Sequence, residues 1–308
     1  MNIKRLQNIS LKSKSWIRRG GIVENYYIPA NNFELIEVGQ YLYGNNIDFQ
    51  TIGATSNIYF RDSFNINSIV DTKQLTDYQI LDDETLQCDC GTRMSILSRF
   101  CVNQGYAGYE GLINLPGTVG GAIVNNSGCY NCEVSKILKS IDMLTPEGEV
   151  VNIKRENLGY NFRSSYLKTS KIKGIVLRAY FDISHRRDVE KLQKEAAKNT
   201  NDRKATQDSP AHNLGSTVNC IRYRMNLKNL LIRIILKCSY LLMRNRFAFI
   251  RKYMILTFYN KRYLNDYISD KRLECFLWKD EDADKYFEDY MKLIDEVYRE
   301  YSIEIEIK

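Results

Sequence analysis

The most informative segment of the sequence is Leu115-Pro116-Gly117-Thr118-Val119-Gly120-Gly121-Ala122-Ile123-Val124-Asn125-Asn126-Ser127-Gly128. With Gly111 upstream, it places five glycines within eighteen residues. Ordering glycine is entropically costly, so this density is typical of backbone that packs against a ligand or another backbone. Tight turns between strands are the alternative interpretation, and the density alone leaves both open.

A second small-residue segment lies upstream, in Gly53-Ala54-Thr55-Ser56-Asn57. It follows a predicted strand, and residues this small let backbone N–H groups approach a phosphate closely. An ordinary turn would look similar. The segment lacks the G-x-G-x-x-G pattern, so a nicotinamide-binding Rossmann unit is not predicted.

Two further motifs follow downstream. In Leu158-Gly159-Tyr160-Asn161-Phe162-Arg163-Ser164-Ser165 an arginine stands between aromatic residues, where its guanidinium could clamp a carboxylate or phosphate. A surface arginine is the simpler alternative. Gly215-Ser216 forms a small loop, in which the serine could be only a turn residue.

The periodicity predicts a mixed chain of helices and strands. Helices are predicted at 32–45, 93–104, 186–201, 226–259 and 282–301. Strands are predicted at 26–29, 47–52, 58–60, 68–71, 78–82, 85–89, 139–144, 150–154, 175–183 and 303–307. The sequence becomes polar and strongly charged after Ser184, which predicts a domain boundary near that residue.

Taken in this order, the motifs resemble the UDP-N-acetylenolpyruvoylglucosamine reductases (UDP-N-acetylmuramate dehydrogenases). This family belongs to the FAD-binding superfamily of vanillyl-alcohol oxidase and p-cresol methylhydroxylase. Its I-P-G-T-V-G-G-A-V-x-x-N-A-G-A-Y-G motif is matched by residues 115–131, and its G-G-G-S-N loop by residues 53–57. Its L-G-[aromatic]-x-Y-R-x-S motif is matched by residues 158–165 and its G-S motif by residues 215–216.

The resemblance implies an α+β fold in which a two-subdomain FAD-binding domain of the vanillyl-alcohol oxidase type, residues 1–184, precedes a smaller α+β substrate domain, residues 185–308. It implies FAD as cofactor, NADPH as hydride donor and a UDP-sugar as substrate. The implied FAD-binding residues are Gly53, Ala54, Thr55, Ser56, Asn57, Pro116, Gly117, Thr118, Val119, Gly120, Gly121, Asn126 and Gly128.

The resemblance also implies three catalytic residues. Arg163 would bind the substrate carboxylate, Ser216 would donate a proton, and Glu306 would support the site from the last strand. An alignment shifted by two residues places Lys308 instead of Glu306 at that position. Where the family has a lysine after its G-S motif, this chain has Asn219.

Alternative functions follow from the weaker match beyond residue 181. One is a flavin oxidoreductase that acts on another nucleotide sugar in surface-glycan assembly, and another is a FAD-binding homologue without catalysis. The oligomeric state stays open.

The net charge of +7 is concentrated in one region, since residues 221–262 contain eleven Lys or Arg and no Asp or Glu. This basic region could form helices whose cations surround an apolar stripe, attract a diphosphate, or lie on anionic lipid. No nucleic-acid-binding module is recognisable. No signal peptide or apolar span is recognisable either, which predicts a cytoplasmic protein with reduced cysteines. The Cys129-Tyr130-Asn131-Cys132 spacing lacks a second pair, so no metal site is predicted, and a covalent flavin link at Cys129 is the rarer alternative.

Overall fold

The computed structural model describes residues 3–209, 212–242 and 246–308, and of residues 238–242 it describes the backbone alone. Outside the described residues lie Pro210, residues 243–245 of the basic region and the side chain of Cys238. The chain forms two compact units. Unit 1 comprises residues 1–15, 20–56 and 62–202, and unit 2 comprises residues 16–19, 57–61 and 203–308.

Unit 1 contains a four-stranded sheet with the order β1-β2-β5-β3. Strand β1 (Lys4–Ser10) pairs antiparallel with β2 (Ile22–Ile28), whereas β3 (Phe49–Ile52) and β2 both pair parallel with β5 (Ser68–Asp71). Helix α1 (Asn32–Gly44) makes the crossover from β2 to β3, and the side chain of Asn31 caps it by accepting from Glu34 N at 2.9 Å. The first predicted FAD loop therefore begins where β3 ends.

A second, antiparallel sheet in unit 1 has the order β11-β10-β12-β7-β6. Its strands are β6 (Tyr78–Asp82), β7 (Thr85–Asp89), β10 (Leu138–Leu144), β11 (Val150–Lys154) and β12 (Ile175–Asp182). A tight turn joins β10 to β11, with Gly148 at φ +85° and its N–H donating to Thr145 O at 3.0 Å.

Further helices and short strands lie between β7 and β10 and after β12. In chain order they are α2 (Met94–Asn103), α3 (Val119–Val124), β8 (Gly128–Cys129), β9 (Cys132–Glu133), α4 (Val134–Ile137) and α5 (Val189–Thr206). Residues 203–206 of α5 already belong to unit 2. One apolar core runs through the unit from Ile3 to Ala196. Helix α5 contributes Leu192 and Ala196 to this core.

Unit 2 has its own core, built around Trp278, Phe276 and Phe287. Helices α6 (Leu227–Leu242), α7 (Phe247–Phe258) and α8 (Ala283–Val297) surround it. Strand β13 (Val218–Tyr223) pairs antiparallel with β14 (Tyr298–Ile303), and β4 (Ile58–Tyr59) pairs parallel with β15 (Glu306–Ile307).

The described elements confirm the α+β class and correct several of the predicted ones. Two segments outside the predicted helices and strands are regular structure: residues 119–124 form helix α3, and the polar segment 4–10 forms strand β1. The last predicted helix ends at Val297, because Tyr298 begins a strand that pairs with β13, itself not predicted. The domain boundary near Ser184 stays a prediction. The two compact units divide further along the chain, between Asp202 and Arg203.

Candidate functional site

The two predicted FAD loops lie against each other in unit 1. A Cβ added to Gly53 would lie 2.1 Å from Thr118 Oγ1, and one added to Gly117 would lie 3.0 Å from Ser56 Oγ. The first distance is shorter than any real contact, so only a residue without a side chain can stand at position 53 in this approach. Two segments more than sixty residues apart in sequence therefore form one continuous surface.

Hydrogen bonds fix the second loop to the strand end beside it. The N–H of Val119 donates to Thr92 O and that of Gly120 donates to Cys90 O, both at 2.8 Å. A Cβ on Gly120 would lie 3.1 Å from that of Cys90. Because these two N–H groups are already bonded within the protein, any contact of Val119 or Gly120 with FAD would come from their other atoms.

Thr118 begins helix α3 as its N-cap. Its side chain accepts from Gly121 N at 3.5 Å, and Gly117 before it has φ +108°. Pro116 precedes this turn, and its ring fixes φ, which restricts the conformations available to the backbone there. The loop is therefore preorganised by residues of its own motif.

The first loop offers the donors that a diphosphate requires. Among the residues that the structure describes, the N–H groups of Ala54 and Ser56 donate to no protein oxygen, although both residues are half-buried. Thr55 between them has φ +54°, the left-handed conformation that turns successive N–H groups inward. This geometry suits an anion such as the FAD diphosphate, so the residues present fit the cofactor.

Asn126 connects the glycine-rich segment to the arginine motif. Its side chain is buried, donates to Asn161 O at 3.0 Å and accepts from Ser135 N at 3.2 Å. Ser165 adds a bond from its hydroxyl to Val124 O at 2.6 Å. The β8–β9 hairpin requires glycine at position 128, since a Cβ there would lie 2.4 Å from Cys132 O.

Arg163 belongs to this anchored motif. Within the described part of the chain its guanidinium makes no hydrogen bond or ion pair, and it lies 5.7 Å from the centroid of the Phe162 ring. Its backbone has φ +52°, a conformation seldom adopted by residues other than Gly, Asn and Asp. Nearby in sequence, burial raises the pKa of Tyr160, whose hydroxyl has no partner among the described residues.

Ser216 lies in unit 2, where a cation contacts it. Arg272 Nη1 donates to Ser216 Oγ at 3.3 Å. The adjacent backbone is held in place, because Thr217 N donates to Glu274 O at 2.8 Å and Thr217 O accepts from Glu304 N at 2.9 Å. Sequence reasoning missed Arg272, since it follows Ser216 by 56 positions and lies in no recognisable motif.

Glu306 and Lys308, the two alternatives for the carboxylate position, lie on the same face of the last strand. They form an ion pair at 3.7 Å, which the strand period of two permits. Asn57 O accepts from Glu306 N at 2.8 Å, and Asn57 Nδ2 donates to Glu304 O at 3.1 Å. In unit 2, hydrogen bonds therefore link the backbone segments that carry Asn57, Ser216 and Glu306. Unit 1 contains Arg163 and the remaining predicted FAD-binding residues.

Part of the basic region is explained by ion pairs whose cations are largely buried. Arg251 donates to Glu274 Oε1 at 2.7 Å and to the hydroxyl of Tyr298, and Lys252 pairs with Asp270 while donating to two backbone carbonyls. Lys252 is 1% exposed. These two cations of α7 therefore stabilise unit 2.

The cysteines at the end of the glycine-rich segment are thiols. Cys129 donates to Gly111 O at 2.8 Å, and burial raises the pKa of Cys132 to about 11. Among the described residues no group of three or more His, Cys, Asp or Glu side chains is placed to hold a metal ion. No helix in that same part of the chain has the length and apolarity needed to span a bilayer.

Comparison with known proteins agrees with this geometry. Residues 23–154 match a protein family described as the FAD binding domain. The UDP-N-acetylenolpyruvoylglucosamine reductase of Caldicellulosiruptor saccharolyticus is 26% identical over 204 residues, which cover 66% of this chain and 65% of the relative. The predicted resemblance to this reductase family is confirmed. A reductase of the same name from Streptococcus pneumoniae strain Hungary19A-6 is 29% identical over 160 residues, or 52% of this chain and 53% of that protein.

A solved structure extends the likeness to the whole fold. The UDP-N-acetylenolpyruvylglucosamine reductase (MurB) of Thermus caldophilus superposes with a TM-score of 0.71 and covers 100% of this chain and 99% of its own, at 19% identity. At that identity the likeness shows the fold alone. The chain spans between about half and two thirds of the length of the reductases that it matches by sequence.

Proposed function

We propose that this protein is a FAD-dependent oxidoreductase that uses NADPH to reduce UDP-N-acetylglucosamine enolpyruvate to UDP-N-acetylmuramate. The contact between Gly53 and Thr118 carries the proposal, because it joins the two loops that the reductase family uses for FAD into one surface. The match of residues 23–154 to the FAD binding domain supports it. A cytoplasmic role in peptidoglycan precursor synthesis is part of the same proposal.

Bound FAD would supply the hydride transfer, and the chain would bind and orient the reactants. The N–H groups of Ala54 and Ser56 would hold the diphosphate, in a loop whose approach to Thr118 requires Gly53. The turn at Gly117 and the N-cap at Thr118 would keep the second loop in shape without reorganisation on binding.

Arg163 is proposed to bind the carboxylate of the enolpyruvyl group. Its guanidinium has no competing carboxylate among the described residues, and Arg can present two parallel N–H donors to a carboxylate. The same contact would stabilise the negative charge that develops on the substrate when a hydride adds to it.

Ser216 is proposed to donate the proton that completes the reduction. A serine hydroxyl is a weak acid, and the Arg272 guanidinium, which donates to its oxygen, favours the negative charge left behind when the proton departs. Arg272 thereby supplies a positive charge beside Ser216, in a chain that has Asn219 at the position of the family lysine. Glu306, held by Asn57 and paired with Lys308, would support the site from the last strand.

A second candidate is the reduction of a different nucleotide sugar. The sequence match to the reductases covers only part of their length, and the cation beside Ser216 comes from a different segment than in the family motif. Turnover of a panel of enolpyruvyl and keto UDP-sugars would distinguish this activity from the first.

An anaerobic absorbance titration tests the proposal. The purified protein should carry a flavin spectrum that bleaches with NADPH and recovers on addition of UDP-N-acetylglucosamine enolpyruvate. A flavin that bleaches but recovers only with another nucleotide sugar would favour the second candidate. A flavin that NADPH never bleaches would favour the non-catalytic homologue, and protein that binds no FAD would contradict the cofactor assignment.

A further inference from the structure

Helix α6 carries apolar side chains on two opposite faces. Its inner face is buried, with Ile232 at 1% and Leu236 at 7% exposure. Its outer face exposes four large apolar side chains to 72%, 50%, 41% and 52%, respectively: Leu227, Leu230, Leu231 and Ile234. Positions i, i+3, i+4 and i+7 follow one side of a helix, so these four form a continuous apolar surface, here named the outer ridge.

Cations border the outer ridge on both sides. At about 100° per residue, Lys228 falls on one side of the ridge and Arg233 and Lys237 fall on the other. Among the described residues the side chains of Arg233 and Lys237 make no hydrogen bond or ion pair, and the ammonium of Lys228 lies 5.0 Å from the centroid of the Tyr259 ring. Residues 221–262 contain no Asp or Glu that could neutralise them.

This surface serves neither core of the protein. The inner face of α6 already buries Ile232 and Leu236 in unit 2, and the inward cations of α7 are satisfied by Glu274 and Asp270. An exposed apolar stripe of this size is costly in water unless a partner covers it. Its border of unpaired cations indicates a partner that is both apolar and negatively charged.

A second copy of the chain meets this requirement poorly. Packing two outer ridges about a two-fold axis would bring Lys228, Arg233 and Lys237 of one copy near those of the other, and no acidic residue within 221–262 could pair with them. The surface of a membrane with anionic lipid combines acyl chains with phosphate groups at the required depth.

We propose that the outer ridge of α6 docks on the surface of membranes that contain anionic lipid. The four apolar side chains enter the boundary between headgroups and acyl chains, and the bordering cations contact lipid phosphates. The helix lies in the plane of the interface and does not cross it. This binding is independent of the proposed reduction, because it uses no residue assigned to it.

Vesicle sedimentation with the full-length protein tests the proposal. At low salt we expect at least about ten-fold stronger binding to vesicles of phosphatidylcholine mixed with phosphatidylglycerol than to phosphatidylcholine alone. Added salt should weaken this binding. Since each cation near the surface strengthens binding about five-fold, Arg233→Gln combined with Lys237→Gln should weaken it about 25-fold.

Apolar variants separate the ridge from general basic attraction. Leu227→Ser, Leu231→Ser and Ile234→Ser together should weaken vesicle binding by about ten-fold or more. Phe33→Ser is the matched control, because Phe33 is 76% exposed in α1 and outside the ridge, and it should bind as the parent does. Urea unfolding should show the same midpoint for the parent, the charge variant and the ridge variant.

Equal binding to the two vesicle types, or full binding by the ridge variant, would overturn the proposal. A dimer that dissociates in Ile234→Glu, in a protein that ignores both vesicle types, would assign the outer ridge to a second copy instead.

Discussion

The Cα of Gly53 faces the hydroxyl of Thr118 so closely that a Cβ on it would lie 2.1 Å from Thr118 Oγ1. Gly53 directly follows strand β3, and Thr118 caps helix α3, which lies within the second predicted FAD segment. Their approach makes the position of one loop depend on the other. A change at either residue should therefore be detected as a change in FAD affinity.

Gly53→Ala is expected to weaken FAD binding by roughly ten- to a hundred-fold, because overpacking of this kind costs about 1–3 kcal/mol. Fluorescence titration of the FAD-free protein measures it. Gly44→Ala is the control, since a Cβ there meets nothing within 4 Å, and it should bind FAD as the parent does. Unchanged affinity in Gly53→Ala would contradict the joint FAD surface.

Arg272→Ala should slow the second half-reaction selectively. A hydrogen bond from a charged donor is worth about 1.5–3 kcal/mol, so reoxidation of the flavin by substrate should fall by about ten- to a hundred-fold. Stopped-flow absorbance would follow both half-reactions, with flavin reduction by NADPH largely unchanged. Arg272→Lys should restore part of the rate, and Lys292→Ala, an exposed cation elsewhere in unit 2, should have no effect. Equal loss in both half-reactions would argue for a purely structural Arg272.

Arg163→Ala should weaken substrate binding without loosening the fold. The guanidinium contacts only the Phe162 ring within the described residues, so the free energy of unfolding should change by less than about 1 kcal/mol. Removing a bidentate clamp on a carboxylate should raise KM for the enolpyruvyl sugar at least about ten-fold, and Arg163→Lys should recover part of it. A KM that stays at the parent value would remove Arg163 from the carboxylate site.

Buried thiols predict a loss of stability in alkali. Burial raises the pKa of Cys88, Cys90, Cys220 and Cys275 to about 12 and that of Cys132 to about 11. Above about pH 8.5 an unfolded chain releases thiol protons that the folded chain still holds, so unfolding becomes easier as the pH rises. The stabilisation is complete below that pH and is lost progressively towards pH 11–12.

Urea unfolding between pH 8 and pH 10 would measure this loss. Replacing Cys132 with alanine should reduce the slope of stability against pH, at the cost of a constant offset. A slope that the replacement leaves unchanged would show that other groups, such as the buried tyrosines, dominate it.

Local pattern predicted the strands of unit 1 well. The bounds of β5, β6, β7 and β11 match the predicted ones, because each is short and closely flanked by turn residues. Strand β1 escaped detection since its residues are mostly exposed and carry no apolar alternation. Helix α3 was hidden within the glycine-rich motif, where glycines at its second and third positions argue against helix.

The candidate site was predictable only where a motif is continuous in sequence. The glycine-rich loop and the Arg163 segment could be located in this way, although their roles in FAD and substrate binding stay predictions. Arg272 could not, because its relation to Ser216 is created by the fold of unit 2. The sequence pattern also cannot decide between Glu306 and Lys308, since both side chains lie on one face and pair with each other.

The parallel pairing of β4 with β15 bears on the order in which the chain can fold. Asn57 and Glu304, joined by a side-chain hydrogen bond, are separated by 247 positions. At a synthesis rate of about 5–20 residues per second, the segment 57–61 waits roughly 12–50 s for its partner strand to leave the ribosome. During that interval Tyr59 and Phe60, both buried in the finished protein, have no completed core to enter. Chaperone dependence during synthesis is thus expected to concentrate in this short segment, far in sequence from most of the unit that it completes.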